Sequence, residues 1–77
     1  MKNIKNFTAI IEKENDGYVA LCPELDIASQ GNTIEEAKAN LSEAIELFFE
    51  HASNNEIEGR LKSDIFITNM QIAVGQA

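Results

Sequence analysis

The run CPELDIASQGNTIEEA, residues 22–37, decides how this chain folds, because three breaks in it sit at fixed distances from one another. Pro23 has no amide hydrogen for a sheet ladder and should end the strand that brings the chain to Cys22. Residues 23–26, PELD, then become a connection, and Ile27 to Gln30 a short strand that closes at the turn residue Gly31. Thr33 and Glu36 match the capping-box pattern: the threonine oxygen covers an orphan amide of the first turn, and the N3 glutamate reaches back to the cap. A helix is predicted to begin at Ile34.

Upstream, Phe7 to Glu14 and Tyr18 to Cys22 are short and rich in β-branched and aromatic residues. Asn15-Asp16-Gly17 lies between them, with Gly17 offered for a positive φ, and the pattern predicts a hairpin. Downstream, Ile34, Ala37, Leu41, Ala44, Ile45, Phe48, Phe49 and Ala52 recur at spacings of three and four, which gives the helix one apolar stripe to lay on a sheet. SNNEIEG, residues 53–59, reads as the turn that ends it, and DIFITNMQIAV from Asp64 as a final strand. The predicted order is β-β-β-α-β in the α+β class. A helical crossover after a three-stranded meander returns the last strand beside the first, giving sheet order 3-2-1-4 with one helix on one face.

One helix covers only one face. Phe7, Ala9, Ile11, Tyr18, Ala20 and Cys22 alternate with Ile10, Val19 and Leu21, and Ile65 and Ile67 alternate with Phe66 and Met70, so both faces carry apolar side chains. A second apolar face predicts a partner surface, a homodimer or a higher oligomer.

At 77 residues the chain has room for one domain, residues 1–77. Thirteen acids against six bases leave a net charge of -7, the wrong sign for binding phosphates directly, so nucleic acid is not an expected partner and a basic protein is. No run approaches the length of a bilayer span. The apolar-leaning run in MKNIKNFTAII is too short for the core of a signal peptide, and Cys22 stands alone, so no internal disulfide forms; both point to the cytoplasm.

Catalytic chemistry finds little support. Glu24, Asp26 and Asp64 are the carboxylates from which a magnesium site would be built, but none lies in the middle of a strand where such sites converge. Glu35 and Glu36 complement the helix dipole. His51 has no second histidine at ligand spacing and reads as a helix-end residue, and Cys22 reads as a packing residue. Ser29, Ser42, Ser53 and Ser63 lack a nucleophile elbow, and the four glycines are scattered among turns and form no phosphate cradle. Neither a metal nor a cofactor is expected.

Taken together, Asp16-Gly17-Tyr18, Cys22-Pro23-Glu24-Leu25, Gln30-Gly31, Thr33 with Glu35-Glu36-Ala37, and Leu41 with Ala44-Ile45 resemble the HicB-like antitoxins of type II toxin–antitoxin systems over Phe7 to Glu50. The resemblance implies a truncated ribonuclease-H-like fold without catalytic acids. It also implies a small, basic, HicA-like ribonuclease toxin as partner, neutralised by covering its active site, and self-association into dimers or larger assemblies. The partner-binding surface expected on this reading is the acidic PELD connection together with the uncovered sheet face, with motif positions Tyr18, Pro23, Glu24, Leu25 and Asp26: the two acids for electrostatics, Tyr18 and Leu25 for packing. Many such antitoxins carry a further DNA-binding segment, and the residues after the last expected strand are too few and too little basic to form one. The alternative is a solitary homo-oligomeric scaffold or sensing module of the same fold with no toxin partner.

Overall fold

A computed structural model of the chain describes residues 4–61 and 64–75. Met1 to Asn3 of the N-terminal run and Ser63 lie outside them. Three strands come first, β1 (Ile10–Glu14), β2 (Gly17–Cys22) and β3 (Ile27–Gly31), and two helices follow, α1 (Ile34–His51) and α2 (Asn54–Arg60). Both strand pairs are antiparallel, and the sheet order is β1-β2-β3. The register sets Ile11 opposite Ala20 and Ala20 opposite Ser29, and one residue along, Ile10 opposite Leu21 and Leu21 opposite Ala28.

The hairpin turns on Asn15 and Asp16. Asn15 takes the left-handed conformation at φ 54°, a role the sequence pattern offered to Gly17, and no described glycine has a positive φ. Asparagine enters that region readily, since its short amide bonds locally to the backbone. Asp26 does the same at φ 57°, where the chain reverses between β2 and β3 and its amide donates to the Cys22 carbonyl at 2.8 Å.

α1 begins at the predicted residue. Thr33 Oγ1 accepts from the Glu36 amide at 3.0 Å, but the Glu36 carboxylate passes its own cap and accepts from the Asn32 amide at 2.9 Å. The helix lies across the sheet on a core of Ala20, Cys22, Leu25, Ala37 and Leu41, with Phe7, Ile11, Tyr18, Ile27, Ile45, Phe48 and Phe49 packed around it. Gly31 makes the close approach possible: a Cβ there would stand 2.5 Å from the Ala37 amide nitrogen and 2.8 Å from the Glu36 carbonyl carbon, both backbone atoms.

Two expectations are overturned, and with them the 3-2-1-4 sheet, the β-β-β-α-β order and the single helix of the ribonuclease-H-like reading. The order is β-β-β-α-α. The run 53–59 is helical because Ser53 and Glu56 form a complete capping box: Ser53 Oγ accepts from the Glu56 amide at 3.2 Å and Glu56 accepts from the Ser53 amide at 3.1 Å. Residues 64–75 form no strand. Their β-branched composition suits a strand, but a strand exists only against an edge, and β propensity measures fit to neighbours rather than a backbone preference. Here the segment stands off the sheet, with Phe66 87%, Met70 82% and Val74 86% exposed.

Candidate functional site

The side of the sheet away from α1 is an open surface. The row Ile10–Leu21–Ala28 crosses all three strands, and the next row sets Glu12 opposite Val19 and Val19 opposite Gln30. Ile10 is 41% exposed, Ala28 is exposed, and Val19 and Leu21 are half-buried by their neighbours. Glu14 continues the acidic line of β1 on this face. The result is an apolar strip with a carboxylate border, built by the period of two in β1 and β2.

The expected partner residues are divided by the fold. Leu25 is fully buried in the core, so it holds the β2–β3 connection in place rather than presenting itself to a partner. The Glu24 carboxylate accepts from the Thr8 amide at 3.1 Å through each oxygen, from Thr8 Oγ1 at 2.7 Å, and from Cys22 Sγ at 3.4 Å. Burial acts to raise its pKa, but these hydrogen bonds, with one from its own backbone, outweigh that and hold the carboxyl below its usual range. Glu24 therefore ties the chain before β1 to the end of β2. Its charge is committed there.

Asp26 is exposed, and its carbonyl, with that of Leu25, receives Arg60 Nη1 at 3.1 and 3.0 Å. Arg60 also lies over the Phe48 ring at 5.7 Å, so α2 is pinned against the connection. Pro23 is half-buried. Tyr18 is half-buried on the α1 side of the sheet, opposite Lys13 on one neighbouring strand and Gly31 on the other. The fold thus gathers Pro23 to Asp26 at one end of the sheet and sets Tyr18 at the other. Sequence reasoning missed Arg60 as the anchor of the connection, since nothing local links it to Leu25 or Asp26.

Cys22 is buried and its thiol donates to Glu24. Burial first, then the neighbouring carboxylate, push the thiol above its ordinary value against an opposing contribution from the Leu25 backbone, which keeps it in the unreactive form. At the hairpin end a cavity of about 460 Å³ is lined by Glu14, Asn15, Asp16, Gln30, Asn32 and Glu36. Among the described residues no three of His, Cys, Asp and Glu are grouped so as to hold a metal ion, and no helix is long and apolar enough to cross a membrane.

The chain is similar to several UPF0150 proteins. One from Synechocystis sp. is 55% identical over 51 residues, covering 64% of this chain and 65% of that protein. One from Helicobacter pylori is 39% identical over 66 residues, covering 84% and 92%, and one from Thermotoga maritima is 40% identical over 58 residues, covering 70% and 77%. Against the Synechocystis protein and a second one from the same organism, the match spans just under two thirds of the relative's length, 65% and 62%. No family model and no solved structure matches the chain.

Proposed function

The chain belongs to the UPF0150 family, and from that premise we propose that it is a non-enzymatic binding domain that neutralises a small basic ribonuclease, as a HicB-like antitoxin does, by covering the toxin's active site. The observation that carries the reading is the open sheet face, where the apolar row Ile10–Leu21–Ala28 is bordered by Glu12 and Glu14 on a chain of net charge -7. An apolar centre buries area on docking, and an acidic border steers a basic partner toward it. A ribonuclease active site that holds RNA is itself basic, so the border competes with substrate for the same charges. The motif residues of the HicB-like resemblance fit this account: Asp26 and Pro23 lie at the accessible rim of the connection, while Glu24 and Leu25 fix its shape.

The reading is tested by capturing the chain from its own cells at low salt and following the association of whatever small basic protein accompanies it in fixed ratio. The association rate falls about tenfold or more on raising the salt to physiological strength or on making Glu12→Lys together with Glu14→Lys, as expected when steering governs encounter. An association rate indifferent to both changes would remove the face from consideration.

A further inference from the structure

Arg60 is the only arginine in the chain, and the place it occupies is built for a guanidinium. One terminal nitrogen, Nη1, donates to the Leu25 carbonyl at 3.0 Å and to the Asp26 carbonyl at 3.1 Å, while the guanidinium carbon stands 5.7 Å from the centre of the Phe48 ring. Two acceptors at the edge and an aromatic ring at the face suit a planar cation; the compact ammonium of lysine fits the same arrangement less well. Asp26, itself acidic and exposed, adds its charge to that end of the sheet.

These groups hold their positions without Arg60. Leu25 is fully buried in the core. Asp26 is fixed in the left-handed conformation at φ 57°, with its amide bonded to the Cys22 carbonyl at 2.8 Å. Phe48 meets Phe49 edge to face at 5.4 Å, and Phe49 meets Phe7 at 5.8 Å, so the ring is braced by its neighbours. The element that brings Arg60 there is, by contrast, weakly held. α2 has seven residues and no buried side chain, too few to be stable without tertiary contacts. Its penultimate residue is Gly59, which lowers helix stability further, and a Cβ there would meet nothing within 4 Å. Among the described residues, Arg60 makes the only side-chain hydrogen bonds from α2 to the sheet or its connections. Ala52 and Ser53, both extended, join α2 to α1 as a hinge.

We propose that the Leu25 and Asp26 carbonyls and the Phe48 ring form a binding site for an arginine side chain from outside the chain, and that α2 is its latch, filling the site with Arg60 until an external arginine displaces it. The site lies where such an arginine would arrive. Cys22 and Ile27 are the last pair before the connection, and the next pair inward, Leu21 and Ala28, belongs to the open apolar row, so the row and the site share one end of the sheet. A net charge of -7 favours a cationic visitor. An internal competitor weakens binding by the fraction of time the site is closed, so only an arginine held nearby by other contacts, at high local concentration, displaces Arg60 efficiently. That this arginine belongs to a basic protein rests on the proposed function; the site and its latch do not.

The test is titration of the full chain at low salt with N-acetylarginine amide, and with N-acetyllysine amide as a control of equal charge, followed through the NMR signals of the Leu25, Asp26 and Ile27 amides and the Phe48 ring. Arginine amide is expected to shift these signals in the unsubstituted chain and to speed amide exchange across Asn54 to Arg60. Arg60→Ala vacates the site and raises the affinity about fivefold; Gly59→Ala stiffens the latch and lowers it about threefold. Unchanged amide protection of α1 shows that both variants are folded. Equal affinity in all three chains, lysine amide bound as tightly as arginine amide, or no shift at Leu25, Asp26 and Phe48 even in Arg60→Ala would overturn the proposal.

Discussion

Replacing Glu24 by glutamine removes a charge while keeping nearly the same shape, and the fold makes the consequence calculable. Two donors from Thr8 converge on the carboxylate, the hydroxyl at 2.7 Å and the amide shared between both oxygens at 3.1 Å. A hydrogen bond to a buried charge contributes up to about 3 kcal/mol, but this site is partly open to water, and screening reduces the pair to about 2 kcal/mol in total. Glutamine keeps the amide bond through its carbonyl oxygen and loses the ionic part. The expected cost is about 1 kcal/mol; Glu24→Ala, which removes both bonds, costs about 2 kcal/mol. The pH dependence has a definite sign. The folded-state pKa lies below that of the unfolded chain, so the contribution is complete above the unfolded value of about 4.3 and fades as the pH falls through the folded one. Urea unfolding of the original chain and of Glu24→Gln, at one protein concentration and at pH 7 and pH 3, measures this directly. The gap between the two curves is open at pH 7 and narrows at pH 3. Adding Thr8→Val to both chains closes most of the gap at pH 7, because the partner is gone. A gap that persists unchanged into acid, or that survives Thr8→Val, would refute the assignment of Glu24 as a charged tie.

Two further perturbations bear on the architecture. Gly31→Ala places a Cβ against the backbone of Glu36 and Ala37, which cannot move without shifting the start of α1; the expected loss is about 2–3 kcal/mol in urea unfolding, and a loss below half of that would mean the helix sits less tightly on β3 than described. Arg60→Ala removes the bonds to Leu25 and Asp26 and the stacking on Phe48; amide exchange should rise across Asn54 to Arg60 while α1 keeps its protection, at a global cost of about 1 kcal/mol.

The elements legible in the sequence are those whose signals are local. Pro23, Gly31 and Thr33 mark the end of β2, the end of β3 and the helix cap within twelve residues, and the spacing of Ala37, Leu41, Ile45 and Phe48 points the helix at the sheet. The alternation in β1 and β2 likewise sets Ile10 and Leu21 on the face opposite Ile11 and Ala20, while which of the two faces α1 covers is read only from the packing. Ser53-x-x-Glu56 carries the same cap signature as Thr33-x-x-Glu36, but the turn residues Asn54 and Asn55 between them favoured a loop reading, and only the paired bonds of the cap decide otherwise. The last segment fails for a different reason. Its composition states that it suits a strand, whereas the edge that would receive it is a matter of tertiary placement that no local pattern encodes. The roles of Glu24 and Leu25 were equally hidden, since an acid and a leucine in a connection look like surface until Thr8, 16 residues away in sequence, closes on the carboxylate and the core closes on the leucine.

The central claim, that the open sheet face silences a basic ribonuclease, is tested most directly by RNA cleavage. The basic protein recovered with the chain is separated from it and assayed on RNA with increasing amounts of the chain, or of its Ile10→Asp variant, added back. The account predicts that cleavage stops near equimolar addition of the unsubstituted chain and continues with Ile10→Asp at the same ratio. Cleavage that proceeds unaltered at excess of the unsubstituted chain, or that Ile10→Asp stops equally well, would contradict it.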